Sequence, residues 1–258
     1  MNDTRRPRGA SGRPPLPGLR PRMRLEPWPT DPTVGHLVLL EYQSVPTVAE
    51  IDEMVERARR QGHVSVRTSA LFPSATDVVL EAGFEPLDSL ALLRADLLDD
   101  APDRTGHDQT GHDQSGTGAH RVRRLWATQH ARAAGVDQLA FGPTWGYDAR
   151  SLAATRRATP AHRARRVGRI DGYAISGAGG STGYVQRLAV RPDRQRQGIA
   201  DTLVADALAW MRSRRIDSVL VNTGVDNVAA LRLYERHGFR ELPDRLTVAE
   251  HVLDGSRR

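Results

Sequence analysis

A short run, RQRQGIA at residues 194–200, constrains the fold of this chain more than any other segment. It follows residues 182–190, TGYVQRLAV, whose β-branched and aromatic side chains predict a buried strand that ends before Pro192. Beyond the run, apolar residues recur at three- and four-residue steps, which predicts a helix over about residues 198–214. The run therefore connects a strand to the N-terminus of a helix.

The start of this helix is suited to bind a phosphate group. The first N–H groups of a helix have no partner within it, and the helix dipole places partial positive charge at the same end. Gly198 lacks a β-carbon and lets an anion approach the main chain, and Ala200 is the next smallest residue. Arg194 and Arg196 add positive charge, and Gln195 can donate through its amide. The spacing predicts a pyrophosphate cradle, although a short glycine loop also serves as a plain helix start.

A second pattern lies downstream, in VDNVAALRLYERHGF at residues 225–239. Asn227, Ala230 and Tyr234 fall on one face of the predicted helix, because seven residues make nearly two turns. Gly238 is expected to end that helix as a left-handed cap. Taken singly, Asn227 could be only a helix cap, and Tyr234 only a half-buried aromatic whose hydroxyl finds a backbone partner.

The two patterns, separated by a strand predicted over residues 218–223, resemble the GNAT superfamily of acetyl-CoA-dependent N-acetyltransferases over roughly residues 120–253. The resemblance implies an α/β fold, α+β by some schemes, with a mixed and mostly antiparallel sheet. In such a fold the central parallel pair of strands splays apart and helices flank the sheet. It also implies acetyl-CoA as co-substrate. The residues implied to bind it are Leu188, Ala189, Val190, Gln195, Arg196, Gln197, Gly198, Ile199, Ala200 and Asn227.

The resemblance also implies roles for individual residues. The main chain of Leu188 and Val190 would hydrogen-bond the pantetheine arm, and a backbone amide there would polarise the thioester carbonyl. Asn227 would hydrogen-bond the same arm, and Ala230 would leave room for it. Tyr234 is implied as the catalytic acid that protonates the departing thiolate.

The sequence does not identify the general base. No Asp or Glu lies in residues 182–190, where many relatives carry one. Deprotonation through water, with Asp148, His162 or Glu250 as a distant base, stays open. Each of these three is also expected as a surface or capping residue.

Three aromatic residues lie where the resemblance places the acceptor pocket. Phe141, Trp145 and Tyr147 occupy a predicted loop between helices over residues 128–137 and 148–156. They either shape the acceptor site or pack the core, and the sequence leaves both open. The other predicted elements are strands over residues 121–125, 163–166 and 171–176, with two more near Phe239 and over 246–252.

Composition excludes several kinds of chemistry. The chain has no cysteine, which excludes disulfides and thiolate nucleophiles, and all 37 of its basic residues are arginine. The net charge of +6 resides in residues 1–24, where seven arginines face one acidic residue in a Pro/Gly-rich tail that we expect to be disordered. Since the rest of the chain is near neutral, we do not expect nucleic-acid binding. The longest apolar run, residues 207–211, is too short to span a membrane, as is the run at residues 37–40, and we expect a cytoplasmic protein.

A low-complexity segment and an internal register suggest two folded parts. Residues 101–119 repeat TGHDQ and predict a flexible linker, in which His107 and His112 lack fixed geometry, so no metal site is predicted. Thr68 precedes Gly83 by the spacing that separates Thr223 from Gly238, and the offset of the two registers is 155 residues.

The offset predicts that residues 25–100 are a degenerate, partial GNAT-like domain that keeps the packing pattern and lacks the chemical residues. At the same offset, Phe72 stands opposite Asn227 and Val79 opposite Tyr234. The arrangement is similar to that of tandem GNAT proteins with one degenerate copy, although this copy is truncated. Residues 120–258 are then the catalytic domain.

The sequence thus favours an acetyltransferase. It would move an acetyl group from acetyl-CoA to a primary amine, on a small molecule or a peptide, by direct attack in a ternary complex. The alternative is a catalytically silent acyl-CoA-binding or scaffold protein, motivated by the degenerate part and the missing carboxylate base. The sequence gives no oligomeric state.

Overall fold

The computed structural model describes residues 23–39, 45–97 and 120–253. The linker predicted at residues 101–119, with His107 and His112, lies outside the described residues. So does the basic tail, except for its last two residues.

The N-terminal part consists of four strands and two helices. They are β1 (Met23–Pro27), β2 (Val34–Leu39), α1 (Val48–Arg60), β3 (Ser65–Thr68), α2 (Pro73–Glu81) and β4 (Glu85–Asp96). The start of α1 is fixed by a capping box, in which the Thr47 side chain accepts from the Glu50 N–H and the Glu50 side chain accepts from the Thr47 N–H.

The C-terminal part contains the other elements. They are β5 (Val122–Arg124), α3 (His130–Trp145), α4 (Ala149–Arg157), β6 (Ala161–Val167), β7 (Gly172–Gly179), β8 (Thr182–Val190), α5 (Ile199–Ser213), β9 (Ser218–Gly224), α6 (Val228–Arg236) and β10 (Arg240–Val252). A stripe of buried apolar residues on α5 explains why this segment is helical: Ile199, Leu203, Val204, Ala207, Leu208 and Met211 all face the sheet.

Two predicted elements differ from the structure. The segment with Phe141 and Trp145 is not a loop, because α3 continues through it across a kink at Gly142, which precedes Pro143. The two strands predicted near Phe239 and over residues 246–252 are one long strand, β10, whose register against β4 shifts between Glu241 and Arg245. The bulge contains Pro243 and Asp244, residue types that also mark turns, so the sequence pattern indicated a break between two strands.

All ten strands belong to one mixed sheet in the order β1-β2-β3-β10-β4-β9-β8-β7-β6-β5. Neighbours are antiparallel except for β2–β3 and β8–β9, which are parallel. The predicted mixed, mostly antiparallel sheet flanked by helices is confirmed. Each part contributes its last strand to the other part: β10 of the C-terminal part pairs with β3 of the N-terminal part, and β4 of the N-terminal part pairs with β9 of the C-terminal part.

The helices cover the two faces of the sheet unequally. Helices α5 and α6 pack on β4 and β9 in one apolar cluster, and α1 and α2 pack on β2, β3 and β10 in another. Helices α3 and α4 pack on the other face of β7, as Tyr173 and Ile175 face them while Ala174 faces α5.

Candidate functional site

The parallel strands β8 and β9 part after three residue pairs, which run from Thr182–Ser218 to Tyr184–Leu220. A bulge in β8 lies at the point where they separate. Val185 faces Ser176 of β7 and Arg187 faces Ile175, so Gln186 is an extra residue without a partner. Bulges bend a strand and increase its twist. The bulge therefore accounts for the splay that the resemblance implied.

The main chain of two assigned residues points into the gap. The N–H of Arg191 donates to the carbonyl of Asp171 at 2.9 Å, and hydrogen-bonded pairs alternate with non-bonded pairs along an antiparallel ladder. Ala189 therefore bonds to β7, while the N–H and C=O groups of Leu188 and Val190 face away from β7. The N–H and C=O of Leu188 and the N–H of Val190 are free to bind an extended molecule lying between β8 and β9, whereas the Val190 carbonyl oxygen accepts a long bond from the Gln195 side chain.

Ala189 borders the cavity but offers it no main-chain donor. Its main-chain groups are engaged with β7 and its side chain is buried in the core beneath α3. It contributes wall surface to the gap rather than a donor.

The start of α5 presents a row of open main-chain donors. Within the described residues, none of the N–H groups of residues 196–201 has a hydrogen-bond partner. Gly198 caps the helix with a left-handed φ of +77°, and Arg196 adopts a left-handed φ of +58°, which is uncommon for a residue with a β-carbon. Gln195 reaches back from this loop, its Nε2 lying 3.5 Å from the carbonyl oxygen of Val190. The loop thus joins the open helix end to the open strand edge.

One cavity of about 830 Å³ connects the loop, the gap and α6. Every residue assigned to acetyl-CoA except Gln197 lines this cavity, and so does Tyr234. Gln197 is exposed and lies outside the lining, and its carbonyl oxygen is 2.6 Å from His120 Nε2. Sequence reasoning did not find Arg232 and Arg236, which line the same end of the cavity from α6. The sequence could have indicated both arginines, because they lie on the cavity side of the helix that carries Asn227.

Tyr234 is buried on α6, 5% exposed, and its ring packs edge-on against Phe239 with ring centroids 5.5 Å apart. Its hydroxyl makes no hydrogen bond within the described part of the chain. Burial raises the pKa of the phenol well above its usual value, an effect that the positive charge of Arg187 partly opposes. Tyr234 is therefore protonated at neutral pH and able to donate.

Asn227 caps α6, and its Oδ1 accepts from the Ala230 N–H at 3.2 Å. The residue is exposed and lines the cavity. The amide nitrogen of its side chain makes no hydrogen bond within the described residues, so the cap leaves this donor for a ligand.

At the far end of the cavity Arg187 is held between two aromatic rings. Its Cζ lies 3.7 Å from the ring centroid of Phe141 and 3.9 Å from that of Tyr147. Its Nε and Nη2 bind the fully buried carboxylate of Asp137 at 2.8 and 2.6 Å. The Tyr173 hydroxyl donates to the same carboxylate. Phe141 and Tyr147 thus line the cavity and also pack against the core.

The three distant bases considered from the sequence lie outside this cavity. Asp148 caps α4 by accepting from the Ser151 N–H. Glu250 is paired with Arg67 on the sheet at 2.9 Å. His162 lines a separate, smaller cavity of about 210 Å³.

The N-terminal part supplies two proton acceptors that line the cavity, His36 on β2 and Asp88 on β4. Burial, with a smaller contribution from Arg24, lowers the pKa of His36 from 6.5 to about 4. Asp88 accepts from the Ser89 N–H at 2.8 Å and makes no ion pair within the described residues. Sequence reasoning missed both, because they lie far along the chain from the two motifs.

The N-terminal part also closes the cavity through two tryptophans. Trp28 donates from Nε1 to the carbonyl oxygen of Thr144 at 2.9 Å, and its ring lies 5.8 Å from that of Trp145 in an edge-to-face contact. Trp28 and Trp145 both line the cavity. The end of the cavity opposite α5 is therefore built by both parts of the chain.

The N-terminal part has no equivalent site. Strands β2 and β3 stay paired along the whole of β3, from Val34–Ser65 to Leu37–Thr68, so no gap opens. The start of α1 is closed by its capping box, and the carboxylate of Glu50 would repel a phosphate there. Helix α2 begins at Pro73 and helix α6 at Val228, which is the same offset of 155 residues that relates the two parts in sequence.

The described residues contain no group of three or more His, Cys, Asp or Glu side chains that could hold a metal ion. None of their helices combines the length and apolar character that a membrane span needs.

The model of the Acetyltransferase (GNAT) family matches residues 126–239. Among curated proteins, the chain is 40% identical over 57 residues to N-alpha-acetyltransferase 30 of Schizosaccharomyces pombe, covering 22% of this chain and 38% of that protein. It is 35% identical over 83 residues to mycothiol acetyltransferase of Thermobispora bispora, covering 30% of this chain and 28% of that protein. The matched segments thus span well under half the length of these relatives.

Solved structures share the fold over most of the chain. A GCN5-related N-acetyltransferase from Sphaerobacter thermophilus gives a TM-score of 0.58 at 16% identity, covering 89% of this chain and 76% of that one. A tandem GNAT protein from the clavulanic acid biosynthesis pathway gives 0.59 at 14% identity, covering 91% and 79%. At these identities the likeness concerns the fold alone.

Proposed function

We propose that this protein transfers the acetyl group of acetyl-CoA to a primary amine within a ternary complex, because residues 126–239 match the model of the GNAT acetyltransferase family. One observation carries the proposal. The open N–H groups of residues 196–201, the free main chain of Leu188, the free N–H of Val190 and the hydroxyl of Tyr234 all border one cavity.

The residues present fit acetyl-CoA along this cavity. The helix start would hold the pyrophosphate through N–H groups and the helix dipole, with Arg194, Arg196 and Arg232 adding positive charge. The pantetheine arm would lie between β8 and β9, bonded to the main chain of Leu188 and Val190. When bound, acetyl-CoA supplies an activated acyl group and a thiolate leaving group.

The protein would position the two substrates and take part in two proton transfers, one to the departing sulfur and one from the attacking amine. The free main-chain donors of β8 would polarise the thioester carbonyl as the amine attacks it. The C–N bond forms and the C–S bond breaks, and Tyr234 would give its proton to the departing sulfur. Burial keeps this phenol protonated at neutral pH, so the proton is present when the C–S bond breaks.

Asp88 is the proposed acceptor of the proton that the amine loses, directly or through water. It lies on β4, the strand next to β9, and shares a face of β4 with Leu90, which also lines the cavity. His36 lies on β2, four strand positions from β9, or about 19 Å at the usual strand spacing. Proximity to the gap therefore favours Asp88.

The acceptor is proposed to be an amine of a small molecule or a peptide. One matched relative is named an N-alpha-acetyltransferase and another a mycothiol acetyltransferase, so both kinds of acceptor occur among proteins similar to this domain. The aromatic end of the cavity, where Trp28, Trp145 and Phe141 meet, suits an acceptor with an apolar part.

We also infer that the N-terminal part is a degenerate copy of the distal half of the GNAT fold. The order β2-α1-β3-α2-β4 repeats the order β8-α5-β9-α6-β10, and both parallel pairs precede an exchanged antiparallel strand. Gly83 and Gly238, 155 residues apart, share a left-handed φ of +82°. This copy has lost its own gap and would serve the other one by lining its acceptor end.

The test is a turnover assay over a panel of amines, following release of the free thiol, together with calorimetry of acetyl-CoA binding. The proposal expects binding of acetyl-CoA and acetylation of at least one amine. Binding without product from any amine would favour the silent acyl-CoA-binding alternative.

A further inference from the structure

Arg187 has two donors that the protein does not use. A guanidinium carries five N–H donors. The donor on Nε and one on Nη2 bind Asp137, and the second on Nη2 donates to the carbonyl of Trp145 at 2.7 Å. Both donors on Nη1 lack a partner within the described part of the chain. The side chain is 13% exposed, and its residue lines the cavity.

The guanidinium is held rigidly in this position. Asp137 is fully buried and accepts hydrogen bonds from the Tyr147 N–H and the Tyr173 hydroxyl as well as from Arg187. Because both carboxylate oxygens are bonded, the carboxylate cannot rotate. The rings of Phe141 and Tyr147 lie against the guanidinium, with centroids 3.7 and 3.9 Å from Cζ. Nη1 is the one nitrogen of this group whose donors stay unpaired within the described residues.

The two Nη1 donors are open to solvent from the cavity, so a ligand that displaces the water there must offer them an acceptor. The group that fits is an oxygen acceptor, either a carboxylate or a carbonyl, approaching in the guanidinium plane. A second amine on the acceptor does not fit, because its protonated form would be repelled by the positive charge of the Arg187 guanidinium.

We propose that Arg187 selects acceptors whose amine is accompanied by a carboxylate or carbonyl oxygen, as in an amino acid or a peptide-type amide. The inference rests on the proposed function, since it takes the cavity end opposite α5 as the acceptor site. Arg187 directly precedes Leu188, whose main chain faces the gap, so the bound oxygen would hold the amine near the thioester. A free amino acid and a peptide N-terminus share this chemistry, and the acceptors tested distinguish them.

The experiment compares matched acceptors at equal concentrations of neutral amine. The sets are alanine, alaninamide and ethylamine, and phenylalanine, phenylalaninamide and phenethylamine, with 1,4-diaminobutane as the second-cation case. In the wild type we expect kcat/KM to favour the oxygen-bearing acceptors on the order of 10- to 100-fold over the matched simple amine. Preference for the acid over the amide would indicate a free amino acid, and the reverse a peptide-type acceptor.

The decisive variant is Arg187→Lys. Its ammonium can still pair with Asp137 and preserve the fold, but it presents no second nitrogen to the cavity. We expect the preference to fall towards one while the Kd of acetyl-CoA stays unchanged. Arg163→Lys is the matched control, because Arg163 forms the same two-bonded pair with Asp206, at 2.9 and 2.8 Å, away from this cavity. If Arg187→Lys does not fold, the double variant Asp137→Asn with Arg187→Met is used in its place, because it removes both charges together.

Two results would overturn the inference. One is a wild-type enzyme that acetylates the simple amines as well as the oxygen-bearing ones. The other is an Arg187→Lys variant that loses activity equally on all acceptors. If the wild type acetylates no amine, the proposed function fails, and calorimetry of alaninamide against ethylamine on the CoA-saturated protein decides the role of Arg187. Equal binding of the two ligands there would contradict it.

Discussion

At the scale of single residues, the account depends on Tyr234. Its hydroxyl borders the same cavity as the free edge of β8, and burial keeps it protonated. It does not bind the main chain, as a merely structural tyrosine would.

Tyr234→Phe removes the proton donor and little else. We expect turnover to fall by about 10²- to 10⁴-fold with nearly unchanged affinity for acetyl-CoA. Steady-state kinetics and calorimetry check this, with Tyr184→Phe, on β8 outside the cavity lining, as control. An equal loss of turnover and binding would contradict the acid role.

Asp88→Asn keeps the shape of the side chain and removes its proton affinity. We expect kcat to fall by about 10²-fold or more at neutral pH without a change in acetyl-CoA binding. Asp96→Asn, at the far end of the same strand and paired with Arg94, is the control and should behave as wild type. Wild-type kcat in Asp88→Asn would show that another group receives the proton.

His36 predicts a pH dependence of stability. Its pKa is about 4 in the folded protein against 6.5 as the ordinary value, so the unfolded chain binds more protons between these limits. Stability therefore falls as the pH drops from 6.5 to 4, by at most about 3 kcal/mol. The groups facing His36 across the sheet are Glu26 and Arg67.

Urea unfolding of the wild type and His36→Gln at pH 7 and pH 4.5 measures this contribution. We expect the wild type to lose more stability than the variant between the two values. The same loss in both proteins would mean that His36 is not shielded from protons.

Single residues were predicted unevenly from sequence. Gly198, Asn227 and Tyr234 have fixed spacings within one strand-helix unit, so local periodicity places them on the cavity. Arg187 could not be assigned, because its facing depends on the bulge at Gln186, which has no local signal. Asp88 could not be assigned either, since strand exchange alone brings it next to β9.

At the scale of elements, the start of α5 is the feature that would bind the nucleotide. It differs from the start of α1 in its open N–H groups and left-handed Gly198. The two helices hold equivalent places in the two parts, which makes the difference informative.

Gly198→Ala adds a β-carbon at a left-handed position beside the phosphate site. We expect a loss of about 1–2 kcal/mol in stability and a weaker affinity for CoA, with unchanged affinity for pantetheine, which has no pyrophosphate. Gly83→Ala introduces the same strain at a helix end outside the cavity and should affect stability alone. Equal weakening of CoA and pantetheine would place the pyrophosphate elsewhere.

In the C-terminal part, the elements could be predicted from sequence where a local hydrophobic pattern defines them. Strands β8 and β9 and helices α5 and α6 were predicted within a residue or two, because strand and helix periods differ clearly there. The continuation of α3 through Gly142 and the single strand β10 were not, since a Gly-Pro pair and a bulge both resemble turns in sequence.

At the scale of the whole molecule, the exchange of β4 and β10 joins the two parts into one sheet. Each part completes its own order of elements, but each lends its last strand to the other. The 155-residue register was visible in the sequence, whereas the exchange was not, because both strands carry the same alternating pattern and long-range pairing leaves no local mark.

The exchange predicts that neither part is stable alone. Residues 120–258 expressed by themselves would expose the edge of β9 and leave β10 without either neighbour, so we expect aggregation or a loss of cooperative unfolding. Co-expression with residues 23–97 should restore a soluble complex that binds acetyl-CoA. Circular dichroism and size-exclusion chromatography check this, and a folded, monomeric fragment of residues 120–258 that binds acetyl-CoA with full affinity would contradict it.

The most direct test of the central claim is a crystal structure of the complex with CoA. The account predicts the pyrophosphate on the N–H groups at the start of α5, the pantetheine arm bonded to Leu188 and Val190, and the sulfur within hydrogen-bonding reach of the Tyr234 hydroxyl. CoA bound outside the gap between β8 and β9, or a sulfur remote from Tyr234, would contradict it.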